Sequence, residues 1–163
     1  MVIVLMGVSG SGKTTIGLRL AAEVDWRFAD ADDFHSPGNI RKMAAGEALT
    51  DEDRWPWLAA LHDEIRDTVA AGANLVLACS ALKRSYRQIL AVPGAGVRFV
   101  YLMGTPAVLR QRLRNRSGHF MKDHLLDSQF AALEEPTAAE ATLVDVELRP
   151  RRIVEHIRAA LGI

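Results

Sequence analysis

The chain has 163 residues, a length that predicts one domain burying about 70% of the surface its unfolded form would expose and leaves no room for an accessory one. Twenty basic and twenty acidic residues cancel, which excludes a global field drawing the chain onto nucleic acid or an anionic membrane, so any basic site must be local. One cysteine, Cys79, excludes an internal disulfide, and no stretch approaches the ~20 apolar residues of a membrane span. The opening apolar run is too short for a signal peptide and lacks a basic start, so the expectation is a soluble protein of the reducing cytoplasm.

In chain order, Val2 to Leu5 predict a buried parallel strand, and Ile16, Leu20 and Val24 recur at helical spacing behind the glycine-rich string that follows it. Trp26 to Ala29 read as a short second strand. From Asp30 to Asp53 the chain is polar with little apolar periodicity, a candidate binding segment. Leu58, Leu61, Ile65 and Val69 mark a helix ending near Gly72, with Trp55 and Trp57 flanking Pro56 just before it and reading as core or hinge packing. Leu75 to Cys79 form a third strand, where Cys79 reads as a buried thiol, and Val97 to Leu102 a fourth. Tyr86 reads as packing. Thr105 caps a helix with Pro106 at its first position, Leu109 and Leu113 on its apolar face, and Arg112 and Arg116 one turn apart. After a polar stretch from Asn115 to Lys122, a helix carrying Leu126, Phe130 and Leu133 is stopped by Pro136. A fifth strand, Leu143 to Val146, and a helix with Ile153, Ile157 and Leu161 complete the pattern. Alternating strands and helices predict an α/β fold: about five parallel strands, helices on both faces, and ligands outside the carboxyl ends of the strands. One domain is expected over residues 1–163, with a mobile lid at about 115–135.

The string Gly7 to Thr14, GVSGSGKT, lies between strand and helix and fits the phosphate-binding loop of nucleoside triphosphate proteins. Gly7, Gly10 and Gly12 let backbone amides curl around phosphate oxygens. Val8, Ser9, Ser11 and Thr15 complete the cradle, Lys13 reaches the outer phosphates, and the Thr14 hydroxyl is the candidate Mg²⁺ ligand. No Asn-Lys-x-Asp guanine motif is present, and the third strand ends in Cys79 and Ser80 rather than in an acid, which argues against a GTPase switch or a motor ATPase. The acids stand instead after the second strand, at Asp30, Asp32 and Asp33, the place small metabolite kinases use. Phosphoryl transfer to an alcohol needs an oriented hydroxyl, cations on the transferring group and excluded water. Asp32 is the candidate base with Asp30 in reserve; the alternative for each is a loop aspartate capping a turn. His35 carries a similar alternative. Arg112 and Arg116 would project onto the γ-phosphate, or else form a solvated basic helix end. Arg54, Lys83 and Arg87 offer charge to an anionic substrate, or serve singly as surface charge.

The chain resembles the gluconokinases of the small phosphate-loop kinase type, similar in fold to shikimate and adenylate kinases. The resemblance rests on GVSGSGKT, on DADDFH from Asp30 to His35, on NIRKMAAGEALTDEDRWPWL from Asn39 to Leu58, and on CSALKRSYR from Cys79 to Arg87. GHF from Gly118 to Phe120 and QFAALEEP from Gln129 to Pro136 extend it over nearly the whole chain. It implies ATP- and Mg²⁺-dependent phosphorylation of D-gluconate at its 6-hydroxyl and a homodimer. Gluconate is a polyol with a carboxylate, so its site needs a cation, polar groups and a base, needs that Asp32, His35, Arg54, Lys83 and Arg87 meet. Ala31 stands where the family has glycine and Ser36 where it has proline, changes conservative for backbone shape. The adenine site is expected from backbone contacts and an arginine stack, with the loop from Val146 to Arg151 as candidate. A kinase of the same fold for another acid, such as shikimate, and a non-catalytic nucleotide-binding module are the competing classes.

Overall fold

The computed structural model describes residues 1–115 and 123–163. Its sheet has five parallel strands in the order β2-β3-β1-β4-β5: β1 (Val2–Met6), β2 (Arg27–Asp30), β3 (Leu75–Ala78), β4 (Val97–Met103) and β5 (Thr142–Asp145). β1 is central and buried along its whole length, which is why it reads as an unbroken apolar run. Its residues alternate between two cores. Ile3 and Leu5 face the layer of α1 (Lys13–Val24), α5 (Pro106–Arg114) and α7 (Pro150–Leu161), meeting Ile16, Leu20, Leu109 and Ile157. Val2, Val4 and Met6 face α3 (Asp51–Ala70) and α4 (Arg84–Leu90), meeting Leu58, Leu61, Ile65 and Leu90. The result is the expected three-layer α/β fold with five parallel strands. All strand carboxyl ends share one edge. β3 lies on one side of β1 and β4 on the other, so the loop after β1 opens at the switch point of the sheet.

Two glycines set the geometry there. Gly12, at φ 95°, turns the chain into α1. Gly17 lets α1 lie on the sheet, since a Cβ there would come within 2.5 Å of the Phe28 ring.

Several elements differ from expectation. The second strand is shifted one residue, ending at Asp30, and Trp26 packs on the core beside it. The polar segment from Asp30 to Asp53 is not irregular: it holds a 3-10 turn (Ala31–Phe34), α2 (Pro37–Ala44) and the first turn of α3. α2 escapes periodicity because polar contacts dock it. Its one buried residue is Asn39, whose Nδ2 donates to the Asp53 carbonyl at 2.8 Å, and Lys42 grips the Asp53 carboxylate at 2.7 and 2.9 Å. α3 starts before Pro56, not after it, because Thr50 and Asp53 form a reciprocal capping box that nucleates the helix at Asp51. α4 was not expected between the third and fourth strands; seven residues are too few for a periodic signature. The cap at Thr105 with Pro106 is as read from sequence. α6 (Asp123–Ala132) lies in the expected lid segment, of which residues 116–122 are outside the described residues.

Candidate active site

One cavity of about 750 Å³ opens along the carboxyl edge of the sheet, with the phosphate loop as its floor. α1 begins there without a side-chain cap and with no acid in its first turn, so its unpaired amides are open to an anion. Lys13 Nζ curls back over the loop, donating to the carbonyls of Gly7 at 3.0 Å and Val8 at 3.2 Å. Burial lowers the pKa of this ammonium, and the charges of Asp32 and Asp30 oppose the shift. The Thr14 hydroxyl donates to Asp30 Oδ2 at 2.8 Å, while Asp30 Oδ1 caps the 3-10 turn through the Asp32 N–H at 3.2 Å. Asp30 is thereby engaged twice, at β2's end.

Among the described residues, no side chain hydrogen-bonds the Asp32 carboxylate. It reaches solvent through the cavity, yet protein surrounds enough of it to raise its pKa, first by desolvation and then through Asp30; Lys13 and His35 pull the other way. His35 stacks on Trp57 with ring centroids 4.6 Å apart and 10° between planes. Trp57 is fixed in turn by its indole N–H, which donates to the Ala31 carbonyl at 2.7 Å. His35 Nδ1 is buried with no hydrogen-bond partner among the described residues, and desolvation lowers the ring's pKa, with Asp32 opposing and Arg54 reinforcing. The neutral ring is therefore favoured near pH 7.

The structure brings Ser9, Gly10, Ser11, Gly12, Lys13, Thr14, Thr15, Asp32, His35, Arg54 and Arg112 to this cavity, with Gly7 and Val8 holding Lys13 from beneath. It does not bring Lys83 or Arg87. Lys83 pairs with both oxygens of Asp51 at 2.8 Å, off the cavity wall. Arg87 is 6% exposed, and its guanidinium donates to the carbonyls of Ala81 and Leu82 at 3.2 and 3.1 Å, bracing the loop after β3 where Ala81 adopts φ 44°. Arg112 donates to the Val146 carbonyl on the cavity wall, which Leu148 and Pro150 also line. Arg116 lies outside the described residues, as do Gly118 to Phe120.

Sequence reasoning missed two residues. Asp51 accepts from Lys83 and Tyr86 and lies 3.7 Å from Arg54, so one carboxylate organises three groups; the Lys83 hydrogen bond, more than any other contact, holds its pKa below the ordinary range. Its only sequence signal was its place after a capping threonine. Gln129 of α6 bonds Ser9 in the phosphate loop, a contact with no local signature at all.

A parallel sheet in this order, a phosphate loop after its central strand and a carboxylate facing that loop define a phosphate-loop kinase that transfers a phosphoryl group to a hydroxyl. The family model described as an AAA domain matches residues 2–136. The gluconokinase of Gluconobacter oxydans (strain 621H) is 46% identical over 156 residues, covering 95% of this chain and 88% of that protein. The thermosensitive gluconokinase of Escherichia coli (strain K12) is 44% identical, covering 97% and 86%. A crystal structure of a gluconokinase from Sinorhizobium meliloti 1021 superposes with a TM-score of 0.88 at 45% identity, covering 98% of this chain and 90% of that one. A shikimate kinase from Aquifex aeolicus, at 16% identity and a TM-score of 0.64 over 99% and 96% of the chains, shares the fold. The chain belongs to the gluconokinase family. No helix among the described residues is long and apolar enough to cross a membrane.

Proposed function

We propose that this protein transfers the γ-phosphoryl group of ATP to the 6-hydroxyl of D-gluconate, giving 6-phospho-D-gluconate and ADP, as a cytoplasmic homodimer. The observation that carries the reading is the Asp32 carboxylate, without a side-chain hydrogen bond among the described residues, in the same cavity as Lys13 and the open end of α1. Asp32 takes the proton from the attacking hydroxyl, and its raised pKa makes it a better acceptor for that proton. Lys13 leaves the Gly7 and Val8 carbonyls to neutralise the outer phosphates. Arg112 and Arg116 keep the role on the transferring phosphoryl group read from sequence, and the bond from Arg112 to the Val146 carbonyl also sets it beside the loop expected to take the adenine. His35 and Arg54 serve the acceptor: the neutral imidazole bonds a hydroxyl, and the guanidinium takes the carboxylate in a two-bond fork. Lys83 acts on the acceptor through Asp51 and Arg54, and Arg87 through the loop it braces.

The hard oxygens of Thr14 and Asp30, 2.8 Å apart beside the loop, fit Mg²⁺. Among the described residues no group of three or more His, Cys, Asp or Glu converges on a metal site, so most ligands would come from phosphate and water. When bound, the ion would supply positive charge that offsets the negative charge of the phosphates during transfer.

The test is ADP release with Mg²⁺ and ATP against gluconate, gluconolactone, shikimate, glucose and nucleoside monophosphates, with mass detection of product. Turnover of gluconate alone is expected. Turnover of a different acid would overturn the acceptor and keep the kinase, and silence with all would return the chain to a binding module.

A further inference from the structure

Gln129 stands 120 residues from Ser9 in sequence, yet its carboxamide meets that residue at two points: Oε1 accepts from the Ser9 backbone N–H at 2.6 Å, and Nε2 donates to Ser9 Oγ at 3.0 Å. A carboxamide carries an acceptor and a donor side by side, which matches a backbone N–H next to a hydroxyl. Both residues line the cavity. α6 does not depend on this contact for its place. Arg110 of α5 pairs with Asp127, and beyond the helix the Glu134 N–H donates to the Leu82 carbonyl at 2.9 Å. With the helix anchored elsewhere, the bond to Ser9 is free to exchange. The amide it occupies belongs to the run of backbone donors that a phosphate loop aims at phosphate oxygens.

We propose that Gln129 is a positioning residue for the terminal phosphate. Its carbonyl holds the Ser9 N–H in its phosphate-facing orientation. A nucleoside triphosphate brings a γ-phosphate oxygen that takes this N–H, because a charged acceptor makes a hydrogen bond about twice as strong as a neutral one. The released carboxamide then turns its NH₂ onto the same phosphate. A diphosphate lacks that oxygen and leaves the bond to Ser9 in place, so Gln129 separates triphosphate from diphosphate. The proposal rests on the kinase reading above.

The experiment is calorimetric titration of ADP and of a non-hydrolysable β,γ-imido ATP, each with Mg²⁺, into wild type, Gln129→Glu and Gln129→Met, with steady-state kinetics and a thermal melt of each. Gln129→Glu preserves shape and the acceptor for Ser9 N–H but sets a carboxylate against the γ-phosphate; the analogue should weaken about tenfold or more while ADP stays within about twofold. Gln129→Met keeps similar length without hydrogen bonds and should lower kcat roughly threefold to tenfold with KM for the acceptor unchanged. A wild-type ratio of analogue to ADP affinity in Gln129→Glu, or equal losses for both nucleotides in the two variants, overturns the proposal. The ratio needs no acceptor, so it is read whether or not gluconate is the substrate, whereas a wild type that binds neither nucleotide overturns this reading and the kinase reading together.

Discussion

The two walls of the cavity are built on different principles. The phosphate wall is backbone: contiguous residues from Gly7 to Thr14, shaped by glycines and by the uncapped start of α1. The wall proposed for the acceptor is side chain: Asp32 and His35 of the turn after β2 and Arg54 and Trp57 of α3 meet through a ring stack, an indole hydrogen bond and the docking of α2 and α3. A wall made of backbone tolerates changes in most of its side chains, while a wall made of side chains depends on each support behind it. The acceptor wall should therefore respond more finely to substitution.

Asp32→Asn probes that contrast most strongly. Turnover is expected to fall by about 10² to 10⁴ while ATP affinity holds, the range for a lost general base; near-normal turnover in the coupled assay would remove Asp32 from that role. The same variant tests charge against stability. Because the folded carboxyl binds its proton more tightly than the unfolded one, ionisation costs stability as pH rises above the ordinary carboxylate range. Asp32→Asn should then melt at or above the wild-type temperature at neutral pH, with the advantage gone at pH values below that range. In wild type the acid limb of kcat/KM should lie above the ordinary carboxylate pKa, since the base must be deprotonated.

Arg87→Met is next in size and separates support from contact. It strips the Ala81 and Leu82 carbonyls of a buried donor, which should cost about 2 kcal/mol, or roughly 4–8 °C in Tm for a chain of this size. Gluconate KM measured below the melt should change little, and a KM effect larger than the stability loss would return Arg87 to the substrate. Trp57→Phe keeps a ring under His35 but loses the bond to Ala31, so we expect gluconate KM to rise roughly threefold to tenfold, with ATP KM unmoved. The smallest effect is at Cys79, whose thiol is buried and pushed up to about 12 by desolvation. Iodoacetamide should modify it only as fast as the chain opens, and rapid labelling in the native state would contradict its burial.

The same division governs what could be read in advance. The five strands, the cap at Thr105 and the phosphate loop were legible because their signals are local: an apolar run, a capping hydroxyl, a glycine pattern. α2 was not, because Asn39 and Lys42 dock it on Asp53, and polar docking leaves no apolar stripe. Candidate charges were legible as charges, but not their destinations. Arg54 and Lys83 look alike in sequence; one faces the cavity, and the other is spent on Asp51.

By itself, then, the sequence determined the α/β class, the phosphate loop and the family, each written in contiguous residues whose chemistry does not depend on distant partners. The tertiary structure alone decided that Arg87 braces a loop, that Asp51 gathers Lys83, Tyr86 and Arg54, that His35 stacks on Trp57, and that Gln129 reaches Ser9. A side chain's role depends on the field and the partners around it, and those are assembled only when segments far apart in the chain are packed together.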